Sequence, residues 1–273
     1  MEKTLLSQMD KFNELYNNQP FSPHFEITRY ERGFASSEIE AKITIPQLQN
    51  TEGFETIIVT ETAKHGIFGV TSTTSLSENS WYTDFINETL GGLEPLTMTS
   101  QFNLFSGLTN TFSLDPFDLT VDDEHFIGSP GKLVIKTDKA FKHIVADGYF
   151  EGFSADGVMD IKGCSFSSDG EMISNILMNG KSSLTIQQVS LYDGSQEAVL
   201  ALSAIEGLSS LDYNEDTGKL STSATYNIGQ IVADDEKIND VSLSVGINQL
   251  DSESLQNFYD AYLNMANELM VSL

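Results

Sequence analysis

Cysteine is nearly absent: Cys164 is the single one in 273 residues, which excludes an intramolecular disulfide and a cysteine-based zinc site. Its strand-like neighbours point to a buried, unreactive thiol, and one cysteine speaks for neither an oxidising nor a reducing compartment. Cations are scarce as well. Fourteen Lys and Arg stand against 40 Asp and Glu, a formal charge of −26, and a field of that sign repels phosphate backbones and anionic headgroups. Nucleic acid is not expected as a partner; cationic partners stay open. The same charge keeps a sheet-rich chain soluble and discourages edge pairing. No apolar run approaches the length that spans a bilayer, and the opening Met1-Glu2-Lys3-Thr4-Leu5-Leu6 lacks the basic-then-apolar order of a signal peptide.

Signs of catalytic chemistry are equally thin. Nucleophilic catalysis needs a base, and only His24, His65, His125 and His143 are available; none lies in a Gly-x-Ser-x-Gly elbow or near Cys164 in sequence. With 40 acidic residues, some carboxylate pair is inevitable, so pairs by themselves carry no information about glycoside hydrolysis. No glycine-rich phosphate loop follows a strand and opens a helix. Asp212-Tyr213-Asn214-Glu215-Asp216-Thr217-Gly218 places oxygens as a calcium loop does at its start, but its glycine comes one place late and Ser223 stands where a bidentate Glu belongs, so it reads as a hairpin turn. Asp122-Asp123-Glu124 and Asp234-Asp235-Glu236 read as solvated loop charges. The sequence therefore leads us to expect no catalytic residues, no cofactor and no metal site.

What is present is material for a sheet. Hydrophobic residues make up 40% of the chain, with 17 Phe and 9 Tyr, enough to bury a core. Residues 3–17 place Leu5, Met9, Phe12 and Tyr16 at helical spacing before Pro20 and Pro23 stop the run. Alternation follows, with Phe25, Ile27, Ile39, Ala41, Ile43 and Ile45 on one side of two strands that turn around Glu31-Arg32-Gly33. A short helix near 81–90 is predicted from Trp81, Phe85, Ile86 and Leu90, closed by Gly91-Gly92. From Leu96 to Asn248, strand-like segments alternate with turn signals: Ser106-Gly107, Ser129-Pro130-Gly131, Ala155-Asp156-Gly157, Ser168-Asp169-Gly170, Asp193-Gly194 and Asp216-Thr217-Gly218. Intervals longer than an ordinary strand imply long, curved hairpins. A last helix opens at Asp251-Ser252 and runs its apolar stripe through Leu255, Phe258, Tyr259 and Tyr262.

The fold class is mainly β (α+β): a large curved antiparallel β-meander with amphipathic helices at the N- and C-termini. One domain over 1–273 is expected, with a sub-boundary near 92–95 as the alternative.

Two segments carry a family likeness. Tyr30-Glu31-Arg32-Gly33-Phe34-Ala35-Ser36-Ser37, just after an N-terminal helix, is similar to the tyrosine-x-x-glycine-aromatic-x-serine signature of the YdgA-like and YihF-like bacterial envelope proteins, the family of unknown function numbered 945. His65-Gly66 resembles that family's histidine-glycine-proline motif, with Ile67 in place of the proline. The strand-then-helix ending around Leu250-Asp251 also resembles the family. The resemblance implies a periplasmic protein of a Gram-negative bacterium, normally tethered to the inner membrane by a helix absent from this chain, without an established enzyme activity and able to dimerise. It also implies that the chain matches the N-terminal portion of a longer anchored protein. Physically, Tyr30, Gly33, Phe34, Ser36, Ser37, His65 and Gly66 read as framework: Gly33 permits a tight turn, Tyr30 and Phe34 pack at its base, the serines satisfy turn backbone, and His65 bonds a neighbouring strand.

Three functions follow in order. The first is a non-catalytic envelope domain that acts by binding another protein or by maintaining the envelope, with a protein partner or self-association through the C-terminal helix. The second is a carrier of lipid or another apolar ligand in a groove of the curved sheet. The third, a hydrolase of an envelope polymer, comes last.

Overall fold

The computed structural model describes residues 10, 13, 23–44, 56–121, 124–173, 177–194, 197–233, 236–255, 257, 258 and 261. Their dominant element is the antiparallel strand. In chain order these are β1 (His24–Arg32), β2 (Ser36–Thr44), β3 (Thr56–His65), β4 (Gly69–Ser75), β5 (Leu96–Asn103), β6 (Gly107–Leu114), β7 (Phe117–Val121) and β8 (Glu124–Gly128). They continue with β9 (Gly131–Thr137), β10 (His143–Ala155), β11 (Met159–Met172), β12 (Met178–Leu191), β13 (Leu200–Asn214), β14 (Lys219–Ala233) and β15 (Glu236–Asp251). The mainly β, antiparallel meander read from the sequence is what the chain forms, and β10 to β15 are as long as the widely spaced turn signals required.

The chain divides into two compact units, one of residues 1–85, 99–101 and 251–273, the other of 86–98 and 102–250. In the first, strands run in the order β1-β2-β3-β4. The side that carries Ser37, Ile39, Ala63 and Ser72 is buried. Between Ile27 and Arg29 the β1/β2 register slips by one residue. This bulge leaves Thr28 as the extra residue and turns Tyr30 onto the same face as Phe25 and Ile27, which strict alternation would not do. Two asparagine amides act as one-residue strand partners. Asn13 exchanges hydrogen bonds with the backbone of Phe25 at 2.8 and 2.9 Å, and the buried Asn79 does the same with Ile58 at 2.6 and 2.7 Å.

The second unit orders its strands β6-β9-β10-β11-β12-β13-β14-β15, with β7 and β8 as a side hairpin. Sequence-predicted turns at Gly157, Gly194 and Gly218 are turns, each glycine at positive φ. Residues 212–218 form a plain hairpin end, closed by a bond from Gly218 N to Asn214 O. Two turn signals are corrected. Ser168-Asp169-Gly170 lies inside β11; there Gly170 faces Gly180, and a Cβ on it would meet Asn179 O at 2.7 Å, so glycine serves close strand approach instead of a turn. Ser129-Pro130 joins β8 to β9, which do not pair with each other but both pair with β10.

The short helix is α1 (Ser80–Asp84) followed by one π-helical turn, Phe85–Thr89. The wider turn leaves Phe85 exposed while Ile86 and Leu90 are buried, which revises the expected apolar face. The bond from Gly92 N to Ile86 O closes the end, as the glycine pair predicted. Asp251 caps a helical start at residues 252–255 by accepting from Ser254 N at 2.9 Å. Beyond residue 255 only residues 257, 258 and 261 of that helix are described, and all of the N-terminal helix except Asp10 and Asn13 lies outside the described residues. Among the described residues no helix is long and apolar enough to cross a membrane.

Candidate functional site

In the first unit the residues of the two sequence motifs converge. Antiparallel pairing sets Arg32 opposite Ser37 and Ser37 opposite Ala63, so Tyr30, Ser37 and His65 share one face. Tyr30 Oη lies 3.3 Å from Ser37 Oγ, and Ser37 Oγ lies 3.0 Å from His65 Nε2. Ser37 is fully buried, so its hydroxyl meets these two groups and not solvent. Gly33 donates to Ser36 O at 2.7 Å, closing the first hairpin tip, and Gly66 donates to Gly69 O at 2.8 Å, closing the second. His65 N donates to Ala35 O at 2.8 Å and ties the two tips together. Phe34 does not pack at the base of the turn as the sequence suggested. It is 105 % exposed at the tip, with Ile67 at 88 % on the neighbouring tip.

The second unit holds a feature that the sequence reading did not isolate. Phe112 pairs with Leu133 and Leu133 with Gly148. The same row crosses β11 to β14 through Phe166, Leu184, Gly207 and Tyr226. A second row, two residues along each strand and on the same face, runs from Leu114 through Gly131 and Phe150 to Cys164, then through Ile186 and Ile205 to Ile228. Hydrogen bonds from Ser242 to Asn227 and between Thr225 and Ser244 set Leu243 of β15 beside Tyr226. Eight strands at ordinary spacing make this strip about 33 Å long and about 7 Å wide.

The strip is open. Phe166, Leu184, Tyr226 and Leu243 are all more than a third exposed, and the glycines lower its floor into a cavity of about 430 Å³ lined by Leu96, Phe112, Leu133, Phe150, Phe166 and Leu184. The opposite face of the same strands mixes hydroxyl side chains with Val134, Tyr149 and Leu208. There hydroxyls pair across strands, Ser165 with Thr185 at 2.6 Å and Ser167 with Ser183 at 2.9 Å. Cys164 is half-buried in the strip and not fully buried as its strand setting suggested; burial pushes its thiol pKa up, which disfavours the thiolate.

Histidines elsewhere sit between carboxylates. His125 lies 2.7 Å from Asp118 and 3.1 Å from Asp156, and its pKa is raised by the hydrogen bond to Asp118 and then by that to Asp156. His143 lies 2.7 Å from Asp169, which raises its pKa likewise. Asp160 is held below its ordinary value by hydrogen bonds from Ser154 and then Tyr192. Among the described residues no three His, Cys, Asp or Glu side chains are grouped so as to hold a metal ion.

Residues 1–271 match the model of a family described as bacterial proteins of unknown function, DUF945. No curated protein and no solved structure matches the chain.

Proposed function

We propose that this chain, which belongs to the DUF945 family of bacterial proteins of unknown function, is a non-catalytic module that holds an acyl chain or similar apolar ligand along the strip of its second unit. The observation that carries this reading is the pair of uninterrupted apolar rows on an exposed face. A strand face turned to water ordinarily carries polar residues, and neither of these rows has one. A lipid tail fits better than a globular surface because the strip is narrow, longer than an extended fatty acyl chain and recessed at Gly131, Gly148 and Gly207. On this reading the protein works in the bacterial envelope, the setting its sequence motifs imply.

The test is to purify the chain without detergent, extract it with organic solvent and weigh the extract by mass spectrometry. Acyl lipid near one per protein supports the proposal. Empty protein that also fails to bind an added fluorescent fatty acid ends it.

A second reading, contact with another protein, is favoured by β15. This strand ends the sheet order of its unit and exposes Leu243, Val245 and Ile247 by half or more, so it offers an edge for strand addition. A photoreactive residue at Val245 that gives discrete protein adducts in living cells would favour it; the absence of adducts would remove it.

A further inference from the structure

We propose that a groove on the second unit, on the sheet face opposite the apolar strip, binds a neutral polyhydroxylated ligand, a segment of oligosaccharide. The inference is independent of the strip, because successive residues of a strand point to opposite faces. One row across β10 to β14 sets Asp147, Ser167, Ser183, Leu208 and Thr225 side by side. The next row, two residues along each strand, sets Val145, Asp169, Lys181, Ser210 and Ser223. Together they line a cavity of about 600 Å³, within the size range of ligand pockets. A cavity of about 430 Å³ continues from it at Asp147, Ser167 and Ser183 and is walled by Tyr149 and Ser165. From Tyr149 on β10 to Ser223 on β14 the groove crosses about 19 Å at ordinary strand spacing, more than the length of one sugar ring.

The lining selects the ligand. Asp147 and Lys181 make no side-chain hydrogen bond or ion pair among the described residues. Asp169 spends one carboxylate oxygen on His143 at 2.7 Å and keeps the other. Ser167 pairs with Ser183, and Ser210 with Ser223, each at 2.9 Å; a pair uses one of its two hydroxyl hydrogens and keeps the second to donate. Carboxylates that only accept, an ammonium that only donates and hydroxyls that do both complement the hydroxyls around a sugar ring, each of which donates and accepts. Tyr149 and Leu208, both more than a third exposed, offer apolar surface to the C–H face of the ring. Cross-strand hydroxyl pairs ordinarily serve the sheet alone, but here they floor a cavity between an unpaired acid, an unpaired base and an exposed aromatic ring. Charged ligands fit less well. On this face Lys132, Lys136 and Lys181 stand among Asp147, Asp169, Glu171, Glu206 and Asp212, an acidic excess that opposes an anion, while Lys181 directly across from Asp169 opposes a cation.

Titration calorimetry and saturation-transfer NMR on the full chain test this with three neutral tetrasaccharides, chitotetraose, cellotetraose and maltotetraose, and one anionic, tetragalacturonate. At least one neutral chain should bind, and more tightly than tetragalacturonate. Asp147→Ala should weaken that binding about tenfold or more, the loss expected when a charged hydrogen-bond partner is removed, and Tyr149→Ala should weaken it several-fold. Thermal unfolding should be unchanged in both variants, because both side chains are exposed. Gly207→Leu, which fills the strip on the other face, should bind as wild type does. Failure of all three neutral chains to bind, or wild-type affinity in Asp147→Ala, would overturn the proposal. So would tetragalacturonate binding as tightly as the neutral chains, or loss of binding in Gly207→Leu, which would assign the sugar to the strip.

Discussion

Ser37 Oγ lies 3.0 Å from His65 Nε2 although 28 residues separate them in the chain. The hydroxyl is buried and also 3.3 Å from Tyr30 Oη, so the contact stabilises two hairpins and leaves no room for a substrate at the serine. It is a joint between the two tips.

His65→Ala removes that partner and the ring, and is expected to lower stability by about 1–2 kcal/mol in urea unfolding, the cost of a buried hydroxyl losing a hydrogen bond. Ser37→Ala should cost less, about 1 kcal/mol or below, because the partly exposed imidazole can turn to water. Equal losses in both variants would show that the pair contributes packing and not a hydrogen bond.

Because Cys164 is the single cysteine, it reports on the strip without further engineering. A fatty acid lying along the rows should slow its reaction with a maleimide several-fold. Gly207→Leu should abolish that protection: a Cβ at Gly207 meets the Tyr226 ring at 3.6 Å and Leu184 Cβ at 3.9 Å, ordinary contacts that let a leucine fit and fill the groove. Unchanged thiol kinetics with saturating fatty acid would place any ligand elsewhere.

His125 and His143 should titrate above the ordinary value of 6.5, because each is hydrogen-bonded to carboxylate. A histidine whose pKa is higher folded than unfolded adds stability that is complete below the unfolded value and is lost as pH rises through the folded one. The urea midpoint should therefore fall modestly from about pH 6 to about pH 8, and less so in a His125→Asn, His143→Asn variant. Proton NMR titration of the two imidazoles measures the midpoints directly; values at or below 6.5 would contradict the geometry.

Gly163 (φ +60°) and Ala204 (φ +52°) both sit where the ladders of β10 to β14 skip a pairing. Gly163→Ala is expected to destabilise by about 1–2 kcal/mol, from the left-handed backbone alone, with more added where the new Cβ meets the Gln187 side chain. Ala204→Gly should be neutral or stabilising by up to about 1 kcal/mol. Chemical unfolding of both variants checks the opposite signs.

Much of this architecture was legible in the chain. The alternation of Phe25 and Ile27, then Ile39, Ala41 and Ile43, marked one face of two strands, and Gly157, Gly194 and Gly218 marked turns because positive φ favours glycine there. The same logic misread Ser168-Asp169-Gly170, where glycine serves backbone approach to Gly180. It also misplaced Phe34, since local spacing does not tell whether an aromatic beside a turn folds inward or projects.

Period and turn chemistry are local, and they settled the strand content, the antiparallel order of neighbours and the lack of familiar catalytic motifs in this sequence. Register is not local. A one-residue bulge at Thr28 turned Tyr30 toward Ser37, and pairing across eight strands aligned Phe112, Leu184 and Leu243, which no sequence window spans. The braced tips and the apolar strip exist only once hydrogen bonding between strands has fixed which residues stand side by side.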